Sequence, residues 1–161
     1  FTDENIRSFR KTLLETLPQI TNVGKNPEQG LQTGNKRNHE TTLAALTFAR
    51  KTLAFVESAG SESVKQHQHA RILIRFCIQF YRNTLWNISA GSSQPIMDSL
   101  QQNAVSVLSD HMTRAQDILG ATDRLIELIE RCLEAETHLN RRVHIALTIE
   151  SLIDDLSTMS P

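Results

Sequence analysis

The chain is poor in the residues that turns and β-strands require. Its 161 residues include six Gly and four Pro, and only 5% of them are aromatic. β-Sandwiches and β-barrels need many turns and many aromatic or β-branched strand residues, so this composition disfavours both classes. The hydrophobic share of 39% still allows one buried core, and the length suits one domain. We therefore expect a single all-α domain over residues 1–161.

Cysteine is equally scarce, which bears on the compartment. Cys77 and Cys132 are the only two, each lies within an apolar stretch, and no C-x-x-C spacing occurs. A thiol in such a setting behaves as a small hydrophobic side chain. We predict two buried free thiols rather than a disulfide, which favours a reducing compartment and hence a cytoplasmic location.

The sequence also lacks a hydrophobic run long enough to cross a membrane. The longest apolar stretch, residues 72–86, is interrupted by Arg75, Gln79, Arg82 and Asn83, whereas a spanning helix needs about 18 uninterrupted apolar residues. We predict no membrane insertion by this segment. The chain begins at Phe1 rather than at Met, which is compatible with a piece of a membrane-anchored protein and, in that case, with an extracytoplasmic location.

Neither sign of charge is in excess. Seventeen Lys and Arg stand against eighteen Asp and Glu, a formal charge of -1, so the strong positive charge of a dedicated nucleic-acid binder is missing. The two halves nevertheless differ: residues 1–82 hold twelve basic and seven acidic residues, and residues 83–161 hold five and eleven. We expect halves of +5 and −6 to attract each other, within one bundle or between copies.

Apolar residues recur at steps of three and four over residues 6–17 and again over residues 43–56, as they do in amphipathic helices. The pattern predicts a first helix over residues 3–17 that Pro18 ends. Residues 18–38 combine Gly and Pro with polar residues, so we predict a long flexible loop there. A second helix then runs from about residue 38 to a break at Ala59 and Gly60.

The third predicted helix contains the most apolar part of the chain, residues 72–86. Its polar residues fall at steps of four, four and three, which places them on one narrow stripe of a helix. These stripe residues are Arg71, Arg75, Gln79 and Arg82. We expect the large aromatic side chains of this helix to be buried and to contribute much of the stability. They are Phe76, Phe80, Tyr81 and Trp86.

Helical spacing then continues over residues 95–158, too far for one helix in a small protein. A single helix of that length would extend roughly 95 Å at 1.5 Å per residue. We predict that Pro95 occupies the first helical position, that the chain breaks at Gly120, and that it bends again near residues 138–140. The sequence therefore predicts a bundle of four to five antiparallel helices with a long loop after the first helix.

No stretch carries a recognisable catalytic or metal-binding motif. A Gly-rich phosphate loop, a nucleophile elbow and an H-E-x-x-H helix are all missing. Glu130, Glu134 and His138 share one helix face, but the facing Glu-x-x-His pairs of di-iron bundles are lacking, so a solvated face is the better interpretation. We predict no cofactor, no metal and no enzymatic activity.

Surplus apolar surface supports a different kind of function, because Phe48 with Phe55 and the long apolar stripe over residues 125–156 together exceed what one small bundle needs. Phe48 and Phe55, seven residues apart, form a second apolar row on the second helix, which another helix of the same chain or a partner must cover. Arg141 and Arg142 could contact an anionic partner, although neighbouring side chains on a helix point in different directions. These four residues are the candidate interface.

Two functional hypotheses follow. The leading one is a non-enzymatic helical protein–protein interaction module, acting as an adaptor, a regulator or an oligomerisation domain. Its partner is another protein or a second copy of the chain as a homodimer, with no role for nucleic acid. The alternative is an extracytoplasmic ligand-sensing helical bundle of a membrane receptor or sensor kinase.

Overall fold

The computed structural model describes residues 3–21, 34–90, 96–141 and 143–158. Within that part the chain forms six α-helices and no strand, which confirms the all-α class. The helices are α1 (Asp3–Ile20), α2 (Gly34–Glu57), α3 (Ser63–Ala90), α4 (Ser99–Ala115), α5 (Ile118–Asn140) and α6 (Ile145–Thr158). The predicted number of four to five was too low, because the region after residue 98 is divided into three helices.

Both ends of the long loop predicted for residues 18–38 are helical. Residues 18–20 belong to α1 and residues 34–38 belong to α2. Residues 22–33, and the predicted helix start at Pro95, lie outside the described residues.

The third helix is the centre of the bundle. It packs most extensively against α5 and also contacts α4, α2 and α6, while α1 packs against α2 and α4. Arg71 Nη2 donates a hydrogen bond to Asn140 Oδ1 at 2.7 Å, and Arg75 Nε lies 3.6 Å from Glu136 Oε1. Because rising residue numbers on α3 meet falling numbers on α5, these two helices are antiparallel.

The centre of α3 is buried, as its apolar sequence predicts. The rings of Phe80 and Tyr81 are fully enclosed, and the Tyr81 hydroxyl lies 2.9 Å from Thr21 Oγ1 at the end of α1. A buried phenol needs such a hydrogen-bond partner, because an unpaired polar group inside the protein costs about 1–3 kcal/mol. The same hydrogen bond ties the end of α1 to the centre of the bundle.

Pro18 does not end the first helix. It lies inside α1, which continues to Ile20. Proline lacks an N–H and costs about 3 kcal/mol or more in a helix interior. Here Leu17 and Ile20 are fully buried, and the Thr21 N–H donates to Leu17 O at 3.0 Å. Burial of these two side chains, at about 1.5–3 kcal/mol each, offsets the missing backbone hydrogen bond.

The break predicted at Ala59 and Gly60 is confirmed. The helix α2 ends at Glu57, and Gly60 adopts a φ of 94°, in the left-handed region that only glycine enters readily. The Gln66 side chain of α3 donates to Gly60 O at 2.8 Å. This turn sets α3 back against α2.

The break between α4 and α5 lies earlier than predicted. It falls at Gln116 and Asp117, whereas Gly120 is in the first turn of α5. Asp117 Oδ1 caps α5 by accepting a hydrogen bond from the Gly120 N–H at 2.8 Å. A Cβ atom at position 120 would lie 2.9 Å from that oxygen. Gly120 therefore leaves room for a helix cap rather than ending a helix. The second bend, predicted near residues 138–140, is confirmed by the end of α5 at Asn140.

Candidate protein-interaction surface

The two phenylalanines of the candidate interface lie in the core of the chain. Phe48 is 1% exposed and Phe55 is 7% exposed. The ring of Phe55 stacks between Phe9 of α1, with ring centres 4.0 Å apart, and His69 of α3, with centres 4.7 Å apart. Helices of the same chain cover this row, so neither phenylalanine is available to a partner in this structure.

The arginine pair is only partly described. Arg141 is exposed and caps the end of α5, and its backbone N–H donates to Thr137 O at 3.1 Å. Arg142 lies outside the described residues. Because Arg141 is exposed whereas Phe48 and Phe55 are buried, these three residues do not form one surface.

Another apolar surface lies on α5, within the long apolar stripe of the sequence, where periodicity did not separate exposed residues from core residues. The core-facing row of this helix is buried, and it consists of Ala121, Leu125, Leu128, Cys132, Ala135 and Leu139. A second row of three apolar residues is exposed to solvent, with Leu119 at 68%, Ile126 at 42% and Leu133 at 47%. Residues seven apart lie on one line along a helix. We call Leu119, Ile126 and Leu133 the outer stripe.

The neighbouring part of α3 is exposed as well. Arg75, Gln79 and Arg82 are exposed, in agreement with the predicted polar stripe. Trp86 is 50% exposed, so the prediction of its burial was wrong. It follows Arg82 by four residues and therefore extends the polar stripe by one turn. The antiparallel contacts of α3 and α5 set Arg82 level with Ile129 and set Trp86 level with Leu125.

These exposed rows of α3 and α5 face the same side of the helix pair. At about 100° per residue, the outer stripe and Trp86 each lie roughly a quarter turn from the line where α3 and α5 touch. Both rows are reached from the contact line by turning in the same rotational sense about their own helix. Because α3 and α5 run in opposite directions, these two rotations end on the same side of the helix pair. The contacts of α3 with α2 and α4 pass through other sides, as shown by His69 near Phe55 and by Asn87 near Ser109. The outer face is the combined surface of the outer stripe with Arg75, Gln79, Arg82 and Trp86.

The outer face is charged in an ordered way. Helix α3 carries four basic residues and no acidic one, whereas α5 carries five acidic and two basic residues. Glu130 lies on α5 beside the outer stripe, on the side away from α3. Among the described residues, neither Arg82 nor Glu130 takes part in an ion pair. The face thus has a basic edge on α3, an apolar middle and an acidic edge on α5.

Two buried polar groups of the core, on Tyr81 and Cys132, have raised pKa values. Burial raises the pKa of Tyr81 well above its ordinary value. A hydrogen bond with Cys77 and then burial raise the pKa of the Cys132 thiol. A thiol is a nucleophile only as the thiolate, so Cys132 is held in its unreactive form at neutral pH. Both cysteines are free and buried, as predicted.

A buried arginine completes this polar cluster. Arg124 is 6% exposed, and its Nη1 lies 3.5 Å from Glu127 Oε2. Burial lowers the pKa of its guanidinium, while Glu127 acts in the opposite direction.

Two further findings limit the chemistry of the described residues. In residues 3–21, 34–90, 96–141 and 143–158, no three His, Cys, Asp or Glu side chains are grouped so that they could hold a metal ion. No helix in those same ranges has both the length and the apolar character that crossing a bilayer requires.

Comparison of the chain with protein-family models, with curated proteins and with solved structures finds no match.

Proposed function

We propose that this protein is a non-enzymatic helical protein–protein interaction module, and that the outer face of α3 and α5 is its binding surface. The observation that carries the proposal is the second apolar row on α5. A helix at the surface of a bundle needs one apolar stripe, which it turns toward the core. The helix α5 has two, and Leu119, Ile126 and Leu133 have no role in the core.

The composition of the outer face suits a protein partner. Tryptophan and arginine are the residue types that most often dominate binding energy, and the face presents Trp86 next to Arg82. Apolar residues occupy its middle and charged residues its edges, which is the usual arrangement of protein interfaces. Burying one large apolar side chain completely contributes about 1.5–3 kcal/mol. Leu119, Ile126, Leu133 and Trp86 are on average already about half buried, so covering the rest of each side chain would contribute roughly half of that amount.

The buried thiols support a reducing setting for this interaction. Cys77 and Cys132 are free and enclosed in the core. Free thiols are typical of proteins that work where disulfides do not persist. We therefore propose a cytoplasmic location.

Substitution at the centre of the outer stripe tests the proposal. We expect Ile126→Glu to abolish self-association in sedimentation equilibrium, or to remove proteins that the wild-type chain retains from its source cells. Leu147→Glu is the matched control, because Leu147 is also exposed, at 61%, but lies on α6. Both variants should unfold within about 0.5 kcal/mol of wild type, since both side chains are at the surface. Equal binding by the two variants would contradict the proposal.

A further inference from the structure

We infer that the partner of the outer face is a second copy of this chain, joined so that each α3 lies over the α5 of the other copy. This inference rests on the proposed function, because it uses the same surface. It names the occupant and the arrangement.

Charge complementarity is the first step of the argument. The α3 edge of the outer face is basic and contains Arg75 and Arg82, whereas the α5 edge contains Glu130. Within the chain, Arg75 already pairs with Glu136 at 3.6 Å. Arg82 and Glu130 remain as an opposite-charged pair that forms no ion pair among the described residues, and they lie on opposite edges of one apolar surface. A surface with a basic edge and an acidic edge is complementary to a rotated copy of itself.

Symmetry then selects one arrangement. Two copies can join this face about a twofold axis that runs either along the helices or across them. An axis across the helices sets α3 on α3 and α5 on α5, which brings like charges together. An axis along the helices sets each α3 on the α5 of the second copy, which brings opposite charges together. Only the second arrangement uses the charge pattern that the face carries.

The register of the helices supports the same arrangement. An axis along the helices keeps every residue at its own level. Extending the register of the Arg71–Asn140 and Arg75–Glu136 contacts places Arg82 near the level of Ile129 of its own chain, so it meets the second copy within about one helical turn of Glu130. The twofold axis generates this pair twice. Trp86, level with Leu125, meets the second copy beside Ile126 of the outer stripe.

The outer face is large enough for such a dimer. The outer face runs from the level of Leu119 to that of Arg75, which pairs with Glu136, and this corresponds to about 26 Å at 1.5 Å per residue. Two packed helices with side chains are about 20 Å wide, so the face offers on the order of 500 Å² per copy, or about 1,000 Å² in total. That total reaches the roughly 1,000 Å² that a specific interface needs.

Charge reversal across the interface tests the inference. We expect Arg82→Glu and Glu130→Arg each to weaken the dimer about tenfold or more, since each variant places two like-charged pairs at the interface. The double variant should recover the wild-type dissociation constant. A mixture of the two single variants should form heterodimers, because both cross pairs then have opposite charges. The measurement is sedimentation equilibrium at low ionic strength, where screening is weak.

Matched controls separate these pairs from a general effect of charge. Arg50→Glu on α2 and Glu150→Arg on α6 make the same changes at exposed positions away from the outer face, and both should dimerise like wild type. The arrangement would be overturned if Arg82→Glu and Glu130→Arg left the dissociation constant of the dimer as unchanged as the two controls do. It would also be overturned if a mixture of these two single variants failed to form heterodimers.

A chain that stays monomeric at every concentration would overturn the second copy as partner. The proposed function stands apart from this result. It survives if Ile126→Glu, but not Leu147→Glu, loses a different protein that wild type binds. It fails together with the inference if neither substitution changes any binding.

Discussion

Phe55 joins three helices through one side chain. Its ring lies between those of Phe9 on α1 and His69 on α3, and a His69 ring nitrogen is 3.0 Å from the Phe55 carbonyl oxygen. We expect Phe55→Ala to lower the free energy of unfolding by about 3–5 kcal/mol, because it leaves a cavity between α1, α2 and α3. Urea denaturation measures this change. Leu46→Ala on the same helix is the control, since Leu46 is 56% exposed and its loss should change stability little.

Tyr81 makes stability depend on alkaline pH. Burial raises its pKa in the folded protein above the ordinary value of 10.0, so the folded state holds its proton more tightly than the unfolded state does. This contribution is present in full below pH 10 and is lost as the pH rises above it, by up to about 1.4 kcal/mol per pH unit. The raised pKa of Cys132 acts in the same direction above its ordinary value of 9.0.

Tyr81→Phe isolates the tyrosine contribution. At pH 7 the variant should be about 1 kcal/mol less stable than wild type, because the hydrogen bond with Thr21 is lost. Between pH 10 and pH 11 this difference should shrink, since only wild type has to keep a buried phenol protonated. Urea unfolding of both proteins across this pH range gives the difference directly. If the difference in free energy of unfolding between the two proteins stayed constant from pH 10 to pH 11, burial would not raise the pKa of Tyr81 in the folded protein.

At the residue scale, what could be predicted depended on helical position more than on residue type. The burial of Cys77 and Cys132 followed from their positions among apolar neighbours. The burial expected for Trp86 was wrong, because it was inferred from the size of an aromatic side chain. Its spacing of four residues from Arg82 already placed it on the polar stripe.

At the scale of helices, Asp117 and Gly120 show how a helix start is set. Replacing Gly by Ala in a helix gains up to about 1 kcal/mol, whereas losing an aspartate cap costs about 1 kcal/mol. The added Cβ would lie 2.9 Å from the capping oxygen of Asp117, so Gly120→Ala should displace the cap and change stability by less than about 0.5 kcal/mol. In an Asp117→Ala background the same substitution should stabilise by nearly 1 kcal/mol. Wild type, the two single variants and the double variant form a double-mutant cycle. Their thermal or urea unfolding measures the coupling free energy between positions 117 and 120.

The helices themselves could be predicted more reliably than their ends. Spacing of three and four identified every helical region, because it records which side of a coil faces the core. Pro18 and Gly120 were misread since a proline or glycine ends a helix only when nothing else holds the backbone. Burial of Leu17 and Ile20 holds one helix beyond Pro18, and the Asp117 cap uses Gly120 inside another.

At the scale of the whole molecule, the division of charge is partly used within the chain. Arg75 pairs with Glu136 across α3 and α5, and Arg10 pairs with Asp98 at 2.6 Å across α1 and the start of α4. Hydrogen bonding from the Gln101 N–H and then from Arg10 lowers the pKa of Asp98. The sequence predicted that the halves attract each other. It could not show which charges remain outside, because that depends on which helices become neighbours.

The candidate surface was the least predictable part for the same reason. The sequence assigned surplus apolar surface to Phe48 and Phe55, which are buried, and to the stripe over residues 125–156, without separating its buried row from its exposed row. On α5, the core row and the outer stripe are offset by a single residue, as Leu125 and Ile126 show. Periodicity alone identifies both rows without telling which one α3 and α6 cover.

Site-specific photo-crosslinking tests the central claim most directly. A photoreactive amino acid replaces Ile126 on the outer stripe, and in a parallel protein it replaces Leu147 on α6, and both are irradiated in cells that produce the protein. We predict a discrete protein adduct at position 126 and none at position 147, with the mass of two chains if the partner is a second copy. No adduct at position 126, or the same adducts at both positions, would contradict the claim that the outer face binds a protein.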